Sequence, residues 1–274
     1  MVDFDTPSSR QSTAETLALI SWPGEMDISL KRIGDLWLNT EDQVFDQAVR
    51  WCSSTDADDR CFGACVLGGL AEWEHSPYYE TSISTLRQLF DDVDEVVLAA
   101  AINALGSMSA YDALVDALRF GTHPSGFVRS RLAMALSGHE HPDAIATLIS
   151  LTRDPVDDVR ESATFALASQ IDICSAEICQ ALYDRTDESD EDIRDQALVG
   201  LARCGDRRAV PLIEQALASE HVSSWVIEAA ARAHTPELVM HLEKLEDRWS
   251  ANPDLMQLAL ISCRTGSLPD NDLI

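Results

Sequence analysis

The chain has 274 residues, with 20 Lys and Arg against 47 Asp and Glu, a formal net charge of -27 and a pI near 4.3. Hydrophobic residues make up 46% of the chain and charged residues 24%, so there are enough apolar side chains to fold. The acidic excess excludes a protein that binds nucleic acid or anionic membranes, because both require clustered Lys and Arg. It is compatible with a basic protein partner and equally with a solubility adaptation to a salty environment.

In chain order, residues 1–25 carry no recognisable element, and whether they are ordered stays open. They place acids where a signal peptide needs a basic start and an apolar run, so we expect no secretory leader. Residues 26–55 are predicted to form a helical N-terminal cap. The seven cysteines make an odd count that argues against a disulfide framework, and we therefore expect a cytoplasmic protein.

Residues 56–247 contain a repeated pattern, V-R-x-x-A-x-x-A-L, at spacings of 31, 31 and 34 residues. Its leading apolar positions are Val97, Val128, Val159 and Ile193, and its closing leucines are Leu105, Leu136, Leu167 and Leu201. Weaker copies begin at Asp58 and Trp225. Apolar or small residues at i, i+4, i+7 and i+8 of each copy predict the buried face of a helix.

A second amphipathic run follows the copies after a short turn. These runs are residues 111–120, 142–151, 176–183, 208–218 and 236–245. Pairs of such helices cannot bury both faces alone, so successive pairs must stack on one another. The chain is therefore predicted to be all-α, with a single α-solenoid over residues 26–264. Residues 253–264 are its last helix, and residues 265–274 are a polar tail.

The motif followed by a turn and A-V-P-x-L, as in Ile193–Ile213, resembles the HEAT repeat. The short period resembles the HEAT-like repeats named after phycobilin lyases. This resemblance implies an α-solenoid that serves as a scaffold, adaptor or inhibitor, and in some members as an enzyme. Di-iron hydroxylases of this type need repeated His-Glu pairs on helices, whereas His139–Glu140 is a single pair in a turn. Related DNA glycosylases need a basic face, which the charge excludes.

No catalytic, cofactor or metal site is predicted. His139 and His141 form an isolated H-x-H in a turn, which is typical of solvent-facing histidines. Cys52, Cys61 and Cys65 lack the C-x2-4-C spacing of structural zinc sites, and the last two lie i, i+4 on a helix, where packing explains them. The sequence contains no recognisable phosphate loop or Ser/His/Asp arrangement.

Acidic residues crowd the turns that precede the first helix of successive repeats. They are Asp56, Asp58 and Asp59; Asp91, Asp92 and Asp94; Asp154, Asp157 and Asp158; and Asp187, Glu188, Asp190, Glu191 and Asp192. One or two acids per turn serve helix capping and the helix dipole, at about 0.3–1 kcal/mol each. The five acids of residues 187–192 exceed that need. Stacking would align these turns, so we predict an acidic edge that binds a basic protein.

An arginine occupies the same position in four repeats, at Arg60, Arg129, Arg160 and Arg194. Beside acidic turns, this pattern favours ion pairs with the preceding turn or a neighbouring repeat over a ligand site.

Aromatic side chains give a weaker candidate. Trp73, Tyr78 and Tyr79 lie in a polar connection, where such residues are favoured interface anchors. The alternative is that they cover the outer face of the first repeat.

These features predict a non-catalytic, protein-binding HEAT-like scaffold without a cofactor. Its concrete form is an inhibitor or immunity-type protein that neutralises a basic partner such as a nuclease toxin. Two alternatives stay open: a phycobilin-lyase-type enzyme or enzyme subunit, and a generic scaffold whose acidity reflects habitat.

Overall fold

The computed structural model describes residues 41–71, 76–108, 110–246 and 249–268. These ranges contain 14 α-helices joined by short turns and 3-10 segments, and they contain no β-strand. The helices pack in successive pairs, so the predicted all-α, α-solenoid fold is confirmed. Residues 1–25, most of the predicted N-terminal cap and most of the polar tail lie outside the described residues.

Contacts divide the chain into two compact units, residues 1–139 and 140–274. The helices of the first unit are α1 Glu41–Cys52, α2 Ala57–Leu70, α3 Tyr79–Gln88, α4 Glu95–Ser107, α5 Tyr111–Leu114 and α6 Gly126–Ala135. The first helices of its repeats, α2, α4 and α6, pack on one another in sequence, and α1 packs on α2. A 3-10 helix, Val115–Thr122, continues α5, so the predicted second helix is only partly α-helical.

The second unit repeats the arrangement. Its helices are α7 Pro142–Leu151, α8 Asp157–Phe165, α9 Ala176–Tyr183, α10 Glu191–Arg203, α11 Ala209–Leu217, α12 Ser224–Ala233, α13 Val239–Glu246 and α14 Pro253–Thr265. The first helices α8, α10, α12 and α14 stack in order, and α9, α11 and α13 pack beside them as second helices. A π-helical turn, Ala166–Gln170, ends α8, and a 3-10 turn, Pro236–Leu238, precedes α13.

The repeat positions form the core. All eight leading and closing residues of the pattern are 0% exposed, which confirms the alignment of the repeats. Small residues let the first helices approach closely. A Cβ added at Gly68 would lie 2.9 Å from the Ala104 Cα, and one at Gly200 would lie 2.8 Å from the Ala168 Cα.

The cysteines differ from expectation at one pair. Cys174 and Cys204 form a disulfide bond across 30 residues, with their Cα atoms 5.4 Å apart. The argument against disulfide bonding is wrong here, because repeat stacking brings the segment before α9 against the end of α10. Disulfides are typical of oxidising compartments, so the cytoplasmic location stays a prediction. Within the described ranges, no helix has the length and apolarity needed to cross a membrane.

Candidate functional site

Part of the acidic edge consists of helix caps. Asp56, Asp94, Asp154 and Asp190 each accept a hydrogen bond of 2.9 or 3.0 Å from the backbone N–H two residues later. Three of them are the N-cap residues of α2, α4 and α10. These carboxylates satisfy N–H groups that the first helical turn leaves without partners, so their position is explained by the fold.

In the first unit, Arg60 of α2 joins one repeat to the next. Its Nε and Nη2 donate to the two carboxylate oxygens of Asp92 at 2.6 and 2.9 Å, and its Nη1 donates to the Ser54 carbonyl at 3.1 Å. Burial raises the pKa of Asp92, but the bonds from Arg60 and from backbone N–H groups outweigh it, so the pKa lies below its usual value. The Asp92 side chain is 8% exposed and serves the contact between repeats, and its place in a partner-binding edge stays a prediction.

In the second unit, Arg160 of α8 makes the equivalent connection. Its Nε and Nη2 donate to Glu188 at 3.1 and 3.2 Å, and Nη2 also donates to Asp157 at 2.8 Å. Arg185 donates to the same glutamate. Glu188 is therefore enclosed by two guanidinium groups and connects the two repeats, and its role at the binding edge stays a prediction.

The other two motif arginines bond differently. The Arg129 guanidinium donates to the carbonyls of His123 and Pro124 in the preceding turn. Arg194 lies 3.6 Å from Glu191 Oε1 and 3.4 Å from Asp195 Oδ1 on its own helix. The predicted ion pairing between repeats is thus confirmed for Arg60 and Arg160.

The remaining acids fall into two groups. Asp59 accepts from Ser54 Oγ, and Asp91 forms an exposed pair with Arg119 at 3.2 Å. The residues of the second group are exposed and, within the described part of the chain, make no side-chain hydrogen bond or ion pair: Asp58, Asp158, Asp187 and Asp192. Three of these four lie in the second unit.

Two of them belong to a group that we call the acidic cluster: Asp158, Glu161, Asp190 and Asp192. The first two lie at the start of α8 and the last two at the start of α10, and the two helices pack together. Partial desolvation and the carboxylates of Asp190, Asp192 and Asp158 raise the pKa of Glu161. Sequence reasoning missed Glu161, although it follows Asp158 by three residues and so lies on the same helical face.

A pocket of about 780 Å³ lies beside the cluster, lined by α10, α11, the turn after α11 and Trp249. Asp195 is 4% exposed at its wall. Ser223 Oγ donates to its Oδ2 at 2.7 Å, whereas its Oδ1 accepts no hydrogen bond in the described structure and has only the ion pair with Arg194. Burial raises the pKa of Asp195 against the opposing effects of Ser223 and Arg194. Trp249 Nε1 donates to the Val222 carbonyl at 2.8 Å, which orients its ring.

The aromatic candidates are not equivalent. Trp73 lies outside the described residues. Tyr78 is 8% exposed, its ring stacks on Phe45 with centroids 4.5 Å apart, and its hydroxyl donates to Asp42 at 2.6 Å. Burial, followed by that hydrogen bond, raises the pKa of Tyr78. Tyr78 is therefore a packing residue and not an exposed anchor, whereas Tyr79 is partly exposed at the start of α3.

The histidine and cysteine groups have structural surroundings. His141 is the N-cap residue of α7, and its ring accepts a hydrogen bond from the Asp143 N–H. Cys61 and Cys65 are hydrogen-bonded to each other and buried in α2, and burial raises the pKa of Cys52 to about 12. Among the described residues, no group of three or more His, Cys, Asp and Glu side chains is arranged to hold a metal ion.

Family models match both halves of the chain. A model of HEAT repeats matches residues 83–168, and a model of the PBS lyase HEAT-like repeat matches residues 193–219. These matches coincide with the helix pairs described above and confirm the predicted resemblance. The chain therefore contains HEAT-like repeats, which stack as a helical-repeat fold.

Individual relatives support the same fold. Protein YibA of Escherichia coli strain K12 is 28% identical over 238 residues, which is 82% of each chain, and YibA of strain O157:H7 matches equally well. The X-ray structure of E. coli YibA has a TM-score of 0.68 at 20% identity and covers 96% of this chain and 98% of that one. The CpcE–CpcF complex of phycocyanin lyase from Nostoc is less similar, with a TM-score of 0.44 at 19% identity over 58% of this chain and 98% of that one, and it carries no argument about activity.

Proposed function

We propose that this protein is a non-catalytic scaffold that binds a basic protein through the acidic cluster. In the concrete form of the proposal it inhibits that partner, as an immunity-type protein neutralises a toxin. The observation that carries the proposal is the packing of α8 against α10, which brings the carboxylates of Asp158, Glu161, Asp190 and Asp192 together. Partial desolvation, followed by the other three carboxylates, raises the pKa of Glu161.

The needs of the fold explain the cluster only in part. Asp158 and Asp192 lie in the first turns of α8 and α10, where the helix dipole favours acids, whereas Glu161 lies beyond the first turn. Asp190 caps α10, but Asp158 and Asp192 have no hydrogen-bonding or ion-pairing role in the described structure. Repulsion between uncompensated carboxylates disfavours the folded state, and a cationic surface placed against them would relieve it. Arg60 and Arg160 supply the contrast, because there the protein neutralises its own acidic turns.

The two alternative functions, a lyase and a scaffold whose acidity serves only solubility, lead to different expectations. The lyase-type repeat match covers residues 193–219, a single helix pair, and does not distinguish a lyase from a scaffold. Acidity acquired only for solubility in salt depends on net charge, not on particular carboxylates. Variants that alter the same number of charges at different places therefore separate the binding hypothesis from the solubility hypothesis.

The test uses a cluster variant with Asp158→Asn, Glu161→Gln and Asp192→Asn. The matched control carries Asp112→Asn, Glu80→Gln and Asp254→Asn, which are exposed acids outside the cluster. Both variants change the net charge equally and keep the Asp190 cap.

Binding of fluorescein-labelled nona-arginine is measured by anisotropy at several salt concentrations. At about 0.15 M salt we expect the cluster variant to lose about tenfold in affinity and the control about threefold or less, because a Debye length of about 8 Å screens the longer-range field and nearby charges then dominate. Equal losses in the two variants would contradict the proposal and favour a generic effect of net charge.

A further inference from the structure

We infer that the pocket lined by α10, α11 and Trp249 binds a guanidinium group. The group is carried either by an arginine of a protein partner or by a free small molecule. In the first case the inference rests on the proposed function and adds to it the chemical group that the protein recognises.

The charge of the pocket selects a cation. Its described lining includes four carboxylates, from Asp187, Glu191, Asp195 and Glu220, and one guanidinium, from Arg194. Asp187, Glu191 and Glu220 are exposed around the buried carboxylate of Asp195. A concave site with an excess of negative charge concentrates cations and repels anions.

Asp195 supplies a contact that the protein leaves incomplete. A carboxylate that is 4% exposed normally has both oxygens hydrogen-bonded, because burying an unsatisfied charged group is costly. Here Ser223 satisfies Oδ2, whereas Oδ1 has only the Arg194 Nε, at 3.4 Å and without hydrogen-bond geometry. An incoming guanidinium can donate to Oδ1 while the partly exposed Arg194 turns towards Glu191, which already lies 3.6 Å away.

The tryptophan in the lining favours a guanidinium over an ammonium. The Trp249 ring is fixed by its bond to the Val222 carbonyl and forms part of the lining. A planar, weakly hydrated guanidinium stacks on an indole face and donates to a carboxylate at the same time, whereas an ammonium keeps more of its hydration shell. The volume of about 780 Å³ is within the range of sites that accept a small ligand or one long side chain.

Calorimetric titration of the full chain with three probes tests this inference. The probes are Nα-acetyl-arginine methylamide, agmatine and the neutral isostere Nα-acetyl-citrulline methylamide. We expect both guanidinium probes to bind at one site per chain and the citrulline probe to bind at least about tenfold more weakly, because it lacks the charge.

Two pocket variants and one control complete the design. Asp195→Asn should weaken the arginine probe by about tenfold or more and Glu220→Gln, at the exposed rim, by about threefold. Glu80→Gln, an exposed acid outside both the pocket and the acidic cluster, should leave it unchanged. If Asp195→Asn failed to fold, Glu220→Gln would still test the pocket. Melting curves of both variants show whether they are folded. The inference would be overturned if neither guanidinium probe bound, or if the citrulline probe bound as tightly as the arginine probe.

The probes also separate the two sources of the ligand. Tighter binding of the acetylated arginine than of agmatine assigns the site to a peptide-borne side chain, and equal or weaker binding assigns it to a free guanidinium compound; both results support the pocket. The inference and the proposed function can fail independently. If nona-arginine binding depends on the cluster but neither small guanidinium probe shows binding that depends on Asp195, only the pocket is overturned. If a small probe binds in an Asp195-dependent way but nona-arginine binding does not depend on the cluster, only the proposed function is overturned.

Discussion

Arg160 connects two repeats of the second unit, and its removal gives a defined loss of stability. In Arg160→Gln, the two hydrogen bonds to Glu188, at 3.1 and 3.2 Å, are lost. Both side chains are about 15% exposed, so the pair is shielded from solvent. Because Glu188 keeps its bond from Arg185, each of these two lost bonds costs about 1 kcal/mol. The variant also loses the Arg160 bonds to the Asp154 carbonyl at 3.0 Å and to Asp157 at 2.8 Å, so we expect a total loss of at least about 2 kcal/mol.

Urea unfolding followed by far-UV circular dichroism measures this loss. The matched control is Arg153→Gln, which removes an inter-repeat pair with Asp184 of similar length, 3.0 Å, but with side chains 51% and 33% exposed. An exposed pair of this kind contributes about 0.5 kcal/mol or less. If Arg160→Gln destabilised the protein no more than Arg153→Gln, the conclusion that the Arg160–Glu188 pair stabilises the contact between these two repeats would be refuted.

Three further predictions concern packing, cysteine pairing and pH. Gly200→Ala should lower the free energy of unfolding by about 1–3 kcal/mol, because the new Cβ would lie 2.8 Å from the Ala168 Cα. Thiol titration of the unfolded, unreduced chain should count five free cysteines of the seven, because Cys174 and Cys204 are bonded. Burial raises the pKa of Asp195 in the folded state, so ionisation of Asp195 lowers the stability of the folded protein at pH values above that pKa. Asp195→Asn should therefore melt at a higher temperature than the parent at neutral pH, and the difference should disappear below the unfolded-state pKa of about 3.9.

Each of these has a clear contrary result. An unchanged stability of Gly200→Ala would show that α10 does not approach the end of α8 as closely as described. Seven free thiols before reduction would exclude the disulfide. A lower melting temperature of Asp195→Asn at neutral pH would show that its contacts with Ser223 and Arg194 outweigh its burial.

The helices could be predicted from the sequence wherever the spacing of apolar residues marks one face of a helix. Val159 and Leu167 are both 0% exposed, as expected for two positions of one helical face. The predicted helix at residues 111–120 differs because Leu114, Ala117 and Phe120 are buried at intervals of three. That interval suits a 3-10 helix, in which side chains at i and i+3 lie above one another.

The site was less predictable, because its parts meet only through stacking. The connection from Arg160 to Glu188 spans 28 residues, about one repeat, so an alignment of repeats could anticipate it. Asp195 and Trp249 belong to different repeats, and no local pattern marks them as neighbours. The same holds for the bond between Cys174 and Cys204, since unpaired and paired cysteines look alike in sequence.

Hydrogen–deuterium exchange in the presence and absence of nona-arginine tests most directly whether the acidic cluster is the binding surface. We expect slower exchange at the starts of α8 and α10 and in the turn after α11, and no change in the acidic turn before α2, where Asp58 is equally exposed. Slower exchange in every acidic turn alike, or in none of the segments around the cluster, would contradict binding at this surface.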